Sequence, residues 1–340
     1  MALIRHNSVL ELRPFGFNNL GATCYFNAVL QSLLSCTSFI HYLLKNKKNP
    51  EYNENPVTRK LIELVDMALN MRGGDMSSNS ISQMSSTIWN EMIKFLCKKN
   101  NMKSNNFMNG QQCAGDGFHC LIDSLENFED IQDIFRHRYK TMVYCIDCDK
   151  CVSDVNSTNF VFKVPPNLQN EQLDRFKKYD KSIDEKYENK QEHTQENTKD
   201  AKKGSITNKS EMNKFLARQY GYVDKFFKCP KCTRLGEKYR IDHLVMSPEI
   251  LVVLSKKYVA YNKLDVYTEF PKTMEFNGKN NIILKYEAVS QIEHIGNLNS
   301  GHYWAISRRH DGWYSLNDNQ FTKYEFNPTK NTYIVFYHLM

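Results

Sequence analysis

Cys24 stands where a polar turn, Gly16 to Thr23, meets an apolar helical run in the segment GFNNLGATCYFNAVLQSLL. A nucleophilic cysteine needs thiolate character, and the positive end of a helix favours the thiolate. Free backbone N–H groups at the helix start face outward, where they can bind a developing oxyanion. Asn19, five residues before Cys24, can add its side-chain amide to the same oxyanion, and Gly16 and Gly21 are expected to allow a tight approach. Taken alone, a cysteine near a helix start is also an ordinary buried thiol, the reading given to Cys36 and Cys97.

A matching base lies near the other end of the chain, in HIGNLNSGHYWAISRRHDGWYSLNDNQFTKY. His302 follows Gly301 and opens a strand-like run, and Asn317 follows Trp-Tyr-Ser-Leu. Two neighbouring strands would let Asn317 touch the imidazole edge, set its tautomer and aim the ring at a thiol. Asp318 is read as a solvated turn residue or a supporting acceptor that competes with Asn317 for this third role. His294 and His310 are read as ordinary strand histidines. The chain order Cys, His, Asn is that of papain-like cysteine proteases.

Four further cysteines form two CxxC pairs, Cys145/Cys148 and Cys229/Cys232. One such knuckle brings two thiolates to an ion, and two knuckles supply the four tetrahedral ligands of a structural zinc. The long gap between them weakens the motif and leaves four free thiols as the alternative. Cys151 makes a further CxxC with Cys148 and is a substitute ligand.

The elements that must position these groups change character along the chain. Phe26, Val29, Leu30, Leu33 and Leu34 recur at three- and four-residue steps, predicting a helix with one buried face. Residues 57 to 135 read as further helices, broken by a polar stretch around Lys98 to Asn109. From Tyr139 the pattern turns to short β-branched and aromatic runs: Tyr139 to Tyr144, Phe160 to Val164, Ile250 to Leu254, Ile282 to Tyr286, Tyr303 to Ile306 and Thr332 to Tyr337. These read as strands. Between Asn167 and Glu211 the composition is Lys, Glu, Asp, Asn and Gln, which cannot bury enough surface to offset ordering, so a mobile insertion is expected there.

The chain of 340 residues is 12% aromatic and 41% hydrophobic, which marks a folded protein with a large core. A net charge of +7 is modest and scattered, so no nucleic-acid partner is expected. No stretch has the length of a membrane span, and the N-terminus has no apolar leader segment. The expectation is a soluble, intracellular protein, cytoplasmic and/or nuclear and monomeric, with its thiols in a reducing compartment.

Both catalytic segments resemble the cysteine and histidine boxes of the ubiquitin-specific protease family of deubiquitinases. The family pattern GLxNLGNTCYMNxxLQ has its counterparts in Gly16, Asn19, Leu20, Gly21, Thr23, Cys24, Tyr25, Asn27 and Gln31. The pattern GHYxAYxxxxxxWxxFND has its counterparts in Gly301, His302, Tyr303, Ala305, Trp313, Asn317 and Asp318. The resemblance runs from about Pro14 to Tyr337, leaving 1–13 as a lead-in to a catalytic domain over 14–340. It implies an α+β, papain-like fold with a helical thumb, a mixed palm and β-rich fingers at about 139–250, carrying the 167–211 insertion. It also implies that Cys24 attacks the ubiquitin Gly carbonyl, His302 moves the proton, Asn317 orients His302 and Asn19 lines the oxyanion hole. Ubiquitin and ubiquitinated proteins are the implied partners. Zinc in the fingers is a feature of many members. The family's middle motif QQDAxEFLxxLLDxL aligns on Gln111 to Leu125, with Cys113, Asp116 and Gly117 in place of Asp, Glu and Phe. Those departures keep open an inactive ubiquitin receptor, and a protease for a ubiquitin-like modifier is a third reading.

Overall fold

The computed structural model describes residues 12–71, 78–101, 112–145, 147–148, 150–164, 224–259, 262–277, 283–297 and 300–340. The expected insertion at 167–211, Gln111 and most of the polar stretch before it lie outside these residues.

Helices come first: α1 Cys24–Leu33, α2 Thr37–Lys45, α3 Pro50–Glu54, α4 Pro56–Leu69, α5 Ser78–Ser82, α6 Met84–Lys99, α7 Ala114–Asp123 and α8 Glu129–Phe135. Local chemistry explains where several begin. Asn55 precedes Pro56, and its Oδ1 accepts from the N–H groups of Val57 (2.8 Å) and Thr58 (3.2 Å). An Asn cap followed by proline at the first helical position satisfies orphan donors and presets φ. Asn49 and Pro50 repeat the device for α3.

Strands follow: β1 His137–Cys145, β2 Lys150–Asn159, β3 Phe162–Val164, β4 Asp224–Lys228, β5 Leu235–Met246, β6 Ile250–Ser255, β7 Tyr258–Val259 and β8 Asn262–Lys263. The last six are β9 Thr273–Asn277, β10 Ile283–Gly296, β11 Gly301–Arg309, β12 Gly312–Asn317, β13 Gln320–Tyr324 and β14 Thr332–Leu339. One sheet has the order β2-β1-β5-β4. The large sheet runs β13-β12-β11-β10-β14-β6-β3, with β9 also on β10, and β7 and β8 form a hairpin. Pairing is antiparallel throughout the described strands except between β3 and β6.

The large sheet has a core on each face. Alternate residues divide between them, as period-two side chains must. Ile250, Val252, Leu254, Ile334 and Phe336 face the helices, while Leu251, Val253, Val335 and Tyr337 face the other way. β6 is therefore buried along its whole length, which explains its uninterrupted apolar run.

The helix expected to bury one face buries all of them. Every residue of α1 is buried, including Asn27, Gln31 and Ser32. The helix packs on β11, β10, α7 and α6. Its polar side chains must therefore find partners inside the protein. The fold is the α+β, papain-like arrangement of helical thumb, mixed palm and β-rich fingers.

Candidate active site

The turn before α1 folds around Asn19. Its Oδ1 accepts from the N–H groups of Gly21 (3.0 Å) and Thr23 (3.2 Å). Thr23 Oγ1 in turn accepts from the Leu20 N–H at 3.1 Å. Cys24 is the first helical residue and only 3% exposed. The two glycines act differently. A Cβ on Gly16 would lie 2.5 Å from Asn319 backbone carbons, so that glycine does permit a close approach. Gly21 has no neighbour within 4 Å of such a carbon; its φ of +99° is what favours glycine.

His302 enters from β11, just after Gly301, whose missing side chain leaves room for His294 and the Ile295 carbonyl on β10. A Cβ at 301 would fall 2.4 Å from His294 Nε2 and from the Ile295 carbonyl oxygen. His302 Nε2 lies 2.6 Å from Asn317 Oδ1. The amide oxygen accepts, so Nε2 carries a proton and Nδ1 is left for the sulfur. A hydrogen bond with Cys24 is the largest cause that raises the His302 pKa, to about 9. Partial burial opposes this, and Asn317 and the charge of Asp318 add to the rise. The ring also stacks on Trp304, with centroids 6.2 Å apart.

Distances separate the two candidates for the third role. Asp318 Oδ2 is 3.9 Å from His302 Nε2, against 2.6 Å for Asn317. Nor is Asp318 a solvated turn residue, since its side chain is 16% exposed. With φ +51° it turns back under the site. One carboxylate oxygen accepts from Asn19 Nδ2 (3.0 Å) and the other from Asn27 Nδ2 (2.8 Å), while its backbone oxygen accepts from Phe17 N–H (2.8 Å). Asp318 therefore braces the turn, the nucleophile helix and the base strand's neighbour in one network. Asn19 Nδ2 has a second hydrogen to offer beyond the one given to Asp318.

Sequence reasoning gave Asn27 and Gln31 no role. Ser85 Oγ donates to Asn27 Oδ1 (2.5 Å), and Gln31 Nε2 donates to the Phe15 carbonyl (2.8 Å). Two amides four residues apart on an otherwise apolar helix were the available signal. His294, read as an ordinary strand residue, is buried beneath the site. Its Nδ1 meets Tyr258 OH at 2.9 Å, and burial first, then neighbouring positive groups, hold its pKa down to about 4. His310 is exposed beside Asp311.

The departures on α7 have local accommodations. A Cβ at Gly117 would sit 2.9 Å from the Tyr25 ring, so the aromatic next to the nucleophile occupies that space. Tyr25 OH accepts from Trp89 Nε1 at 2.8 Å. Cys113 Sγ is 2.9 Å from Tyr333 OH, and burial pushes its thiol up, away from thiolate character. Asp116 is exposed.

Cys145, Cys148, Cys229 and Cys232 converge at the far end of the small sheet. Their sulfurs all lie within 4.8 Å of one another, with Cys145–Cys232 and Cys148–Cys229 each at 3.8 Å. A tetrahedron with metal–sulfur bonds of about 2.3 Å has sulfurs about 3.8 Å apart. The N–H groups of Lys231 (3.3 Å) and Cys232 (3.4 Å) point at Cys229 Sγ, which favours a thiolate. The donor set fits a metal ion. Cys151 stands on β2 opposite Tyr144.

A sulfur at a helix start, facing an imidazole held by an asparagine, is the arrangement of a papain-like cysteine peptidase. The family model described as ubiquitin carboxyl-terminal hydrolase matches residues 15–337, and the chain belongs to that family. Ubiquitin carboxyl-terminal hydrolase 10 of Saccharomyces cerevisiae is 26% identical over 369 residues, covering 92% of this chain and 45% of the relative. Ubiquitin carboxyl-terminal hydrolase 9 of Arabidopsis thaliana is 29% identical over 40% of this chain and 16% of its own length. The chain thus spans less than half of these two relatives. Among solved structures, the SAGA Ubp8/Sgf11/Sus1/Sgf73 DUB module bound to ubiquitin aldehyde matches 97% of this chain and 71% of that chain. Its TM-score is 0.63 at 16% identity, a likeness of fold.

Proposed function

We propose that this chain is a deubiquitinase that hydrolyses isopeptide or peptide bonds at the C-terminal glycine of ubiquitin. The observation that carries the reading is the contact between Cys24 and His302, 278 positions apart in sequence, at the start of a buried helix. In this reading His302 takes the thiol proton, and the Cys24 sulfur attacks the glycine carbonyl carbon. The oxyanion is received by the Cys24 backbone N–H and by the second Nδ2 hydrogen of Asn19, held in place by Asp318.

The same geometry times the proton's release. The sulfur is the main reason His302 holds its proton so firmly. Once that sulfur bonds to carbon, its support is gone and the imidazolium becomes a better acid, beside the departing amine. Collapse of the tetrahedral species then leaves an acyl-enzyme on Cys24. His302, now neutral, activates the water that hydrolyses it.

Structural zinc on Cys145, Cys148, Cys229 and Cys232 completes the proposal, supported by their sulfur spacing. It would hold the small sheet's two knuckles together and take no part in the chemistry. We assign ubiquitin and ubiquitinated proteins as partners, a monomeric state, and an intracellular location, cytoplasmic and/or nuclear. Among the described residues, no helix is long and apolar enough to cross a membrane.

A ubiquitin C-terminal electrophile tests the assignment directly. It should label the wild-type chain and not Cys24→Ala, and a fluorogenic ubiquitin amide should be turned over. Equal labelling of both proteins removes Cys24 as nucleophile. Binding of ubiquitin without turnover leaves a receptor instead, and preference for another modifier's probe redirects the substrate.

A further inference from the structure

Arg309 is a buried cation for which the described residues provide no carboxylate. It is 1% exposed, and burial drives its pKa down to about 9. Its guanidinium donates to Gln31 Oε1 (2.5 Å), the Gln31 carbonyl (3.1 Å), Ser35 Oγ (2.5 Å) and the Arg308 carbonyl (2.9 Å); Nε has no partner. Burying a charge among neutral oxygens and the Cys36 thiol, which burial pushes up, is costly, and an apolar side chain of similar volume would avoid that cost. The residue therefore needs an explanation beyond filling space.

Its position supplies one. α1 begins with Cys24 and, at its far end, presents the carbonyl and side chain of Gln31, with the hydroxyl of Ser35 two residues beyond its end. β11 has His302 near its start and ends with Arg309. The same two elements thus meet twice, through sulfur and imidazole at one end and through the guanidinium at the other. Beside the second contact, buried hydroxyls link the two elements through β10: Ser290 Oγ donates to Ser32 Oγ at 2.8 Å and lies 2.6 Å from Ser307 Oγ. Apolar surfaces slide over one another at little cost, whereas directional hydrogen bonds to a planar fork fit in a single register. A cation at the C-terminal end of α1 also complements the helix dipole, whose positive end lies at Cys24.

We infer that Arg309 is a positioning residue: it locks the register of the nucleophile helix on the base strand and so holds Cys24 and His302 in contact. The turnover part of this inference rests on the proposed hydrolase activity; the geometric part does not.

The test uses the full chain carrying Arg309→Met or Arg309→Lys, each compared with wild type under conditions where circular dichroism shows it folded. Two readouts are taken: kcat and KM on a fluorogenic ubiquitin amide, and the iodoacetamide alkylation rate of Cys24 by peptide mass spectrometry, from about pH 5 to 9. Arg309→Met is expected to lower kcat roughly tenfold or more with KM within about twofold, the pattern of a misplaced reacting pair. It should also change the rate and pH profile of Cys24 alkylation, because the His302 contact is loosened. Arg309→Lys, which keeps the charge but not the fork, should recover part of both. A folded Arg309→Met with wild-type kcat and alkylation profile overturns the inference, whatever happens to its melting temperature. Should the Met variant not fold, Arg309→Lys decides alone, and wild-type values in both readouts overturn the inference. Absence of turnover in the wild type would sink the hydrolase reading, while the alkylation comparison would still decide the role of Arg309.

Discussion

Gly16→Ala is the sharpest test of how the site is held together. The added carbon would lie 2.5 Å from the Cα and carbonyl carbon of Asn319 and 2.6 Å from its oxygen. Ordinary carbon contacts begin near 3.5 Å, so one of two backbones must yield by about 1 Å. Asn319 follows Asp318, whose carboxylate holds Asn19 and Asn27, and Asp318 follows Asn317, which holds His302. The displacement therefore reaches the turn, the helix and the base together. Losing the Phe17 to Asp318 backbone bond costs about 1 kcal/mol, and straining the two bonds to a charged carboxylate adds about 1 to 2. Misplacing reacting groups by about 1 Å costs on the order of a hundredfold in rate. The expected outcome is roughly a ten- to hundredfold loss of kcat/KM with a loss of about 2 to 3 kcal/mol in urea unfolding. Gly21→Ala is the control, because it strains φ by about 1 kcal/mol and touches nothing. If Gly16→Ala retains kcat/KM within about twofold of wild type, the idea of steric transmission through Asp318 is wrong.

Three further outcomes follow from the same geometry. Asn317 helps raise His302 to about 9, so the protonated imidazole is present at neutral pH and is lost as pH rises through about 9; Asn317→Ala should move the alkaline limb of the pH–rate profile downward, and an unmoved limb would contradict the contact. His137 and His294 are buried and held down to about 4, chiefly by burial. Their stabilising neutrality is complete above the unfolded value near 6.5 and is lost as pH falls from there toward 4, costing on the order of 3 kcal/mol for the fully buried His137; denaturation midpoints that stay flat across that window would refute this. Metal analysis should find about one zinc per chain, and Cys229→Ser should lose the metal and lower the melting temperature while leaving Cys24 alkylation intact; a zinc-free wild type with four alkylatable thiols would remove the metal site.

Much of the site was readable because its chemistry is local. The polar turn, the helix start and the Gly-His strand are each contained in a short segment, and Asn317 ends β12, which pairs with the His302 strand. Asp318 was harder to place, since its role comes from Asn19 and Asn27 across almost the whole chain. Strands with strong apolar runs, such as β6 and β14, declared themselves. β2, with the sequence KCVSDVNSTN, did not, because its pairing with β1 decides the conformation and its residues have weak β preference. The fully buried state of α1 was also invisible, because its polar residues imitate a solvated face and differ from one only in having partners inside.

The burial of polar side chains along α1 explains why the nucleophile sits on such a helix. An apolar helix of this length would bury as well, yet would be free to rotate or slide by a fraction of a turn. Asn27, Gln31 and Ser32 each have a directional partner on a different element: Asp318 on the β12–β13 turn, the Phe15 carbonyl before the helix, and Ser290 on β10. Such constraints on a rigid rod, together with the Arg309 contact at its far end, oppose both rotation and translation. The cost is borne by buried polar groups, which contribute little net stability when satisfied and are expensive when not. A protein would retain them at that cost only where position matters more than stability, and on this helix the group whose position matters is the sulfur of Cys24.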